Sequence, residues 1–292
     1  GGSAILSRSA ACAGAGCACG VRAVIVRFFR FLPVSGAALV SAPLLLAMNL
    51  RILDCGDAAF TIEFGDRIDP GLLDRVNRLD RAIARARDDF PGLIETMPTF
   101  RSLTLFFDPL QTGRRQLLDA LAPLLAEGGP DADVEGRCWT LPVCYEAEAA
   151  PDLHAVAQAS GLSADEVIAL HSGSEYRVYM LGFLPGFAFM GDLPPALNLP
   201  RRSDPRTAVP AGSVAIAGAL TAIYPWQSPG GWHLLGLCAL PLFDAGRESP
   251  ALLAAGDRVR FRPQPDTEYH RLLAAVRGGE VDPLQWCAGW PP

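Results

Sequence analysis

The sequence predicts an α+β protein: a small N-terminal α/β domain followed by a closed antiparallel β-barrel domain. Three observations predict it. Leu72, Val76, Leu79, Ile83, Ala86 and Phe90 recur at helical spacing between short alternating segments, which places one amphipathic helix over a hairpin. From Tyr176 onward the chain becomes short apolar segments divided by Gly and Pro, the pattern of many short strands closing on themselves. Between the two regions, Glu127 to Glu135 replaces apolar residues with Gly, Pro and Asp, as a linker does. The expected organisation is a leader over 1–47, an α+β domain over 48–133, a barrel over 134–265 and a helical tail over 266–292.

Each element has a local reason. Asn49–Cys55 and Ala58–Phe64 read as strands joined at Gly56-Asp57, and Pro70–Asp89 as the helix that covers them. Ser102–Phe107 is a strand closed by Asp108-Pro109, and Arg114–Ala126 a helix stopped by Gly128-Gly129-Pro130. Thr140–Tyr145 opens the second region as a strand. Helices Asp152–Ser160 and Ser163–Leu170 follow, the latter begun by a capping box between Ser163 and Glu166. Strands Tyr176–Leu181, Ser213–Ala217, Thr221–Tyr224, Trp232–Leu237 and Arg258–Arg262 then build the barrel, and Asp266–Arg277 forms a terminal helix.

Composition removes several kinds of chemistry. All 25 basic residues are Arg, so the chain has no lysine for a Schiff base, for biotin attachment or for a Walker A loop. A net charge of −6 argues against a nucleic-acid partner, which calls for a basic face. His154, His171, His233 and His270 stand apart from one another and from cysteine, so no metal-ligand set can be read. Beyond the leader, Cys55, Cys138, Cys144, Cys238 and Cys287 are odd in number and irregularly spaced, which fits a reduced, cytoplasmic protein.

Residues 1–47 contain no acid, carry Cys12, Cys17 and Cys19 in an Ala/Gly-rich run, and end in an apolar stretch from Val34 to Ala47. A secretory signal, a transit peptide, and translated upstream sequence behind a Gly1-Gly2-Ser3 remnant all fit. The last is preferred: a disordered or non-native leader, with the natural start at Met48. Pro43 interrupts the apolar stretch, which falls short of the roughly 20 residues that span a bilayer.

The chemistry concentrates between Leu181 and Gly236, where aromatics sit beside Gly and Pro in loops that contribute little regular hydrogen bonding. Arg201, Arg202 and Arg206 lie there among prolines. Guanidinium forks suit carboxylate or phosphate; the alternative is that all three are solvated, or paired with Asp192 and Asp204. The aromatic strip Phe183, Phe187, Phe189 and Trp226 is either an interface or, as preferred, barrel core. His171, at a helix end, is a candidate acid or base, with a satisfied cap as the competing reading.

Several motifs in one order resemble the family that holds the B-type component of 5-oxoprolinase, allophanate hydrolase subunit 1 and the kinase inhibitor KipI. They are Gly56-Asp57 with Glu63-Phe64-Gly65-Asp66, Leu170-His171-Ser172-Gly173 with Tyr176, Gly182-Phe183-Leu184-Pro185-Gly186-Phe187, Pro200-Arg201-Arg202 with Pro205-Arg206, Val209-Pro210-Ala211-Gly212-Ser213-Val214, and Ser228-Pro229-Gly230-Gly231-Trp232. The resemblance implies a cyclophilin-like barrel and a carboxyltransferase-type domain. It also implies a hydrolase role as the B-type component of an ATP-dependent 5-oxoprolinase, opening 5-oxo-L-proline to L-glutamate with C-type and A-type partners. A KipI-like inhibitor of a sensor histidine kinase and a component acting on allophanate or urea derivatives are the alternatives.

Within that reading the catalytic candidates are His171, Arg206 and His233, and the substrate- or phosphate-binding candidates are Arg201, Arg202, Tyr176, Tyr224, Ser228, Gly230 and Gly231. ATP, with Mg²⁺ held jointly with a partner chain, is the expected cofactor, and no metal site is expected on this chain alone. Without a G-x-x-x-x-G-K motif, Gly230 and Gly231 read first as a tight turn. Two segments depart from the family pattern: Ala219-Leu220-Thr221-Ala222 lacks an amide that relatives commonly carry, and Gly236-Leu237-Cys238-Ala239 lacks a guanidinium.

Overall fold

The computed structural model describes residues 50–126 and 136–288, so the leader, the proposed start at Met48, the whole linker and the last four residues of the expected tail lie outside the described residues. Strands β1 (Arg51–Asp54) and β2 (Ala59–Glu63) form the expected hairpin, with Ile52 opposite Ile62. They continue through β4 (Ser102–Phe107) to β3 (Leu93–Pro98) in an antiparallel sheet of order β1-β2-β4-β3. Within this sheet, β3 is the strand that the sequence pattern does not reveal. It is an edge strand with mostly half-exposed or exposed side chains, so it shows no clean alternation.

Helix α1 (Pro70–Arg85) begins where Asp69 accepts from the N–H groups of Gly71 and Leu72 at 2.9 and 3.2 Å, with Pro70 at the first turn. Its buried residues Val76, Leu79 and Ile83 are the predicted stripe, laid over Phe60, Ile62, Leu103 and Leu105 of the sheet. Helix α2 (Arg114–Ala126) covers the same core with Leu117, Leu118, Leu121 and Leu125. Each fully buried Leu, Ile or Phe contributes on the order of 1.5–3 kcal/mol, so this cluster supplies the main drive for the layer.

The second sheet is a closed barrel. Around the ring run β12 (His233–Leu237), β9 (Ser213–Ala217), β10 (Leu220–Ile223), β7 (Ala188–Gly191), β6 (Glu175–Leu181), β13 (Arg258–Gln264) and β5 (Cys138–Cys144). Pairing of Leu237 with Cys144 closes it. The antiparallel expectation needs one correction, because β13 and β5 pair in parallel over their whole length, from Arg258 with Cys138 to Gln264 with Cys144. Parallel pairing needs a long connection, and the rest of the barrel lies between these strands in sequence. The short β14 (Cys287–Ala288) adds to β5 beside Trp139.

β7 also escaped the sequence reading, being a four-residue run that follows the Gly/Pro loop directly. Helices α3 (Leu153–Ser160) and α4 (Ala164–Gly173) lean on the barrel through Val156, Ala157 and Val167. The capping box forms as expected, with Ser163 N–H to Glu166 at 2.7 Å and Glu166 N–H to Ser163 Oγ at 3.2 Å. Helix α5 (Asp266–Arg277) buries Tyr269 against Cys144, Ala149 and Ala239. Phe100, in the turn between β3 and β4, packs on Tyr179 and Phe189 of the barrel at centroid distances of 5.6 and 6.1 Å. Arg177 of β6 pairs with Asp74 of α1.

Candidate functional site

Outside the ring, β8 (Arg206–Val209) and β11 (Ser228–Gly230) make a two-stranded ribbon that places Arg206 opposite Gly230. The loop before it is tied down at two points: Arg202 N–H donates to Gly231 carbonyl at 2.8 Å, and His233 Nε2 bonds Pro200 carbonyl at 2.9 Å. A carbonyl only accepts, so His233 Nε2 is the donor. Nδ1 is buried without a partner among the described residues, as is Ser228 Oγ.

Beneath this loop lies Asp152, 3% exposed at the start of α3. Its side chain does not cap its own helix. Instead Oδ1 accepts from Arg202 Nη1 at 3.0 Å and Arg206 Nη2 at 2.8 Å, while Oδ2 accepts from Arg206 Nη1 at 2.9 Å and Leu234 N–H at 2.8 Å. Burial opposes its ionisation. The Arg206 hydrogen bonds, the Leu234 N–H and the charges of Arg206 and Arg202 together outweigh that penalty and hold the carboxyl below its usual range. The arginines therefore pair neither with Asp192, which accepts from Tyr179 hydroxyl at 3.2 Å, nor with the carboxylate of Asp204, whose backbone carbonyl alone accepts from Arg202 Nε at 3.3 Å.

One carboxylate cannot satisfy two guanidinium groups with five N–H donors each. Side-chain exposures of 30% for Arg202 and 24% for Arg206 leave part of both accessible. Arg201 is exposed beside them. The loop thus presents net positive charge on a scaffold fixed from below, suited to a carboxylate or phosphate oxygen.

Tyr224 joins this group. Burial pushes its hydroxyl up to about 12, against the opposing charges of Arg201 and Arg206, so it stays a neutral donor at physiological pH. A Cβ on Gly230 would lie 2.4 Å from the Tyr224 hydroxyl. The glycine is therefore required for close approach, and Gly230 itself lies in a strand rather than in a turn, while Gly231 falls in the short link that follows it. At Gly231 a Cβ would meet Pro205 at an ordinary 3.6 Å, so space does not demand glycine there.

His171 and Tyr176 are placed elsewhere, inside the barrel core. The His171 ring is 0% exposed and stacks on Phe261 at 4.7 Å with 6° between planes. Thr221 Oγ1 donates to Ala215 carbonyl at 3.1 Å, so it accepts from His171 Nε2 at 3.0 Å, which leaves Nδ1 to accept from Tyr145 hydroxyl at 2.8 Å. Burial lowers the imidazole to about 3, and the neutral ring gains nothing from the helix end. Tyr176 hydroxyl donates to His171 carbonyl at 2.8 Å. In this arrangement both residues hold the barrel together rather than face a ligand.

The aromatic strip divides. Phe187 and Phe189 are buried with Tyr224 and Trp232, whereas Phe183 is 37% and Trp226 48% exposed. Leu220, in one departing segment, packs against the same cluster, and Cys238, in the other, is buried.

Among the described residues no group of three His, Cys, Asp or Glu side chains could hold a metal ion, and Asp152 is spent on arginines. The arginine donors of the loop suit phosphate oxygens such as those of a nucleotide. Among the described residues no helix is long and apolar enough to cross a membrane.

A barrel of this topology bearing an arginine-lined loop cluster defines the class: residues 50–253 match the carboxyltransferase domain, subdomains C and D, and the chain belongs to that family. More particularly, it is 40% identical over 237 residues to the B subunit of 5-oxoprolinase from Bacillus subtilis, covering 77% of this chain and 97% of the relative. The crystal structure of TTHA0988 matches with a TM-score of 0.63 and 43% identity, over 70% of this chain and 40% of that longer one. The urea amidolyase of K. lactis shares the fold, with a TM-score of 0.66 at 24% identity over 80% of this chain and 16% of the other.

Proposed function

We propose that this chain is the B-type component of an ATP-dependent 5-oxoprolinase that opens 5-oxo-L-proline to L-glutamate together with C-type and A-type partners. The observation that carries the reading is the loop on which Asp152 organises Arg202 and Arg206 beside Arg201 and Tyr224. Opening an unstrained lactam in water is uphill, which explains the use of ATP: transfer of its terminal phosphoryl group to the lactam carbonyl oxygen activates the carbonyl carbon, one water adds there, the C–N bond breaks with the ring nitrogen leaving as the amine, and a second water releases phosphate from the resulting acyl phosphate. The protein's task is then to hold phosphoryl and carboxylate oxygens and to stabilise developing negative charge.

Arg201 and the outward donors of Arg202 and Arg206 are assigned to those oxygens. Tyr224 supplies a neutral hydroxyl donor, and Ser228 Oγ and His233 Nδ1 are polar atoms left without partners among the described residues beside the ribbon. Mg²⁺, which finds no carboxylate set among the described residues, is assigned to a partner chain. The kinase-inhibitor alternative draws support from exposed Phe183 and Trp226, which suit docking to a protein.

The test is 5-oxoproline-dependent ATP hydrolysis and glutamate formation by the full chain co-expressed with its genomic neighbours. Turnover that falls at least tenfold in Arg201→Ala, with the complex still assembled, supports the proposal. An assembled complex without turnover overturns it.

A further inference from the structure

Arg201 is exposed, and its guanidinium has no hydrogen bond or ion pair among the described residues, whereas Arg202 and Arg206 are both held on Asp152. What aims a side chain that nothing grips is its backbone. The ring of Pro200 locks that residue's own φ. The peptide unit joining Pro200 to Arg201 is held at its carbonyl, which accepts from His233 Nε2 at 2.9 Å. The next unit is held at the Arg202 N–H, which donates to Gly231 carbonyl at 2.8 Å. Peptide units are planar, so pinning the two that flank one Cα sets the φ and ψ of Arg201, and with them the direction of its Cα–Cβ bond.

Both holds come from the stretch 231–234, which is itself anchored. Trp232 is buried against Phe187 and Phe189 at centroid distances of 6.1 and 6.0 Å, His233 pairs with Ile216 of β9, and Leu234 N–H donates to Asp152 Oδ2 at 2.8 Å. Asp152 in turn grips Arg202 and Arg206. All three guanidinium groups are thus referred to one rigid stretch, two through a carboxylate and the third through a histidine. The Gly231 hold is backbone to backbone and any residue supplies it. The His233 hold needs a side-chain donor, and it occupies Nε2 while Nδ1 is buried, so neither ring nitrogen is free to exchange a proton with a ligand.

We propose that His233 is a positioning residue, which through the Pro200 carbonyl aims Arg201 at the phosphoryl or carboxylate oxygens of the substrate and exchanges no proton with it. The inference rests on the oxoprolinase reading for its substrate, but not for its geometry.

Two measurements test it: 5-oxoproline-dependent turnover by the full chain assembled with its partners, and pyrophosphate binding to the full chain by isothermal titration. His233→Ala should lower kcat/KM and pyrophosphate affinity roughly fivefold, the worth of one hydrogen bond. His233→Gln, whose amide N–H donates to the same carbonyl but is no acid or base, should stay within about twofold of the parent and keep the shape of its pH–rate profile. With Arg201→Ala already in place, His233→Ala should cost less than about twofold more. Circular dichroism and Tm establish that each variant is folded; should His233→Ala fail to fold, His233→Phe, which keeps a ring without the donor, takes its place. No recovery in His233→Gln, loss of a limb of the pH profile, or an undiminished loss on the Arg201→Ala background would each overturn the proposal, the last because a merely structural role costs the same with or without Arg201. A parent complex without turnover defeats the oxoprolinase reading alone and leaves pyrophosphate to decide; a parent that neither turns over nor binds pyrophosphate defeats both.

Discussion

Asp152 and Arg206 form a two-point ion pair, Nη1 to Oδ2 at 2.9 Å and Nη2 to Oδ1 at 2.8 Å, across 54 residues of sequence. The carboxylate is buried and the guanidinium only partly so, which makes the pair both a structural clamp and the underside of the candidate site. Replacing Asp152 by Asn keeps the volume but leaves two cations without their counter-charge. Breaking a buried pair from one side costs about 3–5 kcal/mol, and solvent access to both arginines puts the expected loss near the lower end. Urea unfolding of Asp152→Asn measures it.

The same carboxylate predicts an acid limb of stability. Its folded pKa lies below the unfolded value, near ~3.9, so its contribution is complete above that value and is lost as pH falls through the folded pKa. Asp152→Asn should flatten that limb of the stability profile.

His171 predicts a second dependence in a different window. Its folded value of about 3 lies below the ordinary ~6.5, so the unfolded chain takes up the proton first. Stability should therefore fall by about 1.4 kcal/mol per pH unit as pH drops below ~6.5, ending near the folded value. Imidazole ¹⁵N shifts should show a protonated Nε2, a bare Nδ1 and no titration between pH 5 and 8; a ring that titrates near 6.5 would refute this placement.

Gly230 and Gly231 should separate cleanly although they are adjacent. Ala at 230 drives a methyl into the Tyr224 hydroxyl, with an expected cost of about 1–3 kcal/mol. Ala at 231 meets only ordinary contacts and should stay within about 0.5 kcal/mol. Thermal unfolding of the two variants side by side decides the matter.

Arg201 and Arg206 should separate by kind of effect. Arg201 is exposed, unlike the two arginines clamped on Asp152, so Arg201→Ala should leave Tm within a few degrees of the parent while lowering turnover. Arg206→Ala removes the two-point partner of Asp152 and should lower both Tm and turnover. Tm by scanning calorimetry, set beside activity of the assembled complex, distinguishes them.

The sequence alone determined what short-range physics controls. Helical periodicity located α1, Gly and Pro punctuation located α2 and most barrel strands, and the Ser163-to-Glu166 spacing located a capped helix start, because each signal lies within a few residues of its effect. The ordered motifs from Gly182 to Trp232 marked the loops that hold the arginines. What tertiary structure decided was the partner of each charge and the depth of each ring. Asp152 reads locally only as the first residue of a helix, and only the folded chain turns its carboxylate toward arginines 50 and 54 residues away. His171 reads locally as a helix-end cation, and only barrel closure stacks it on Phe261 and strips its water. Desolvation and long-range pairing depend on which surfaces meet, and that information is carried by the fold as a whole rather than by any stretch of the chain.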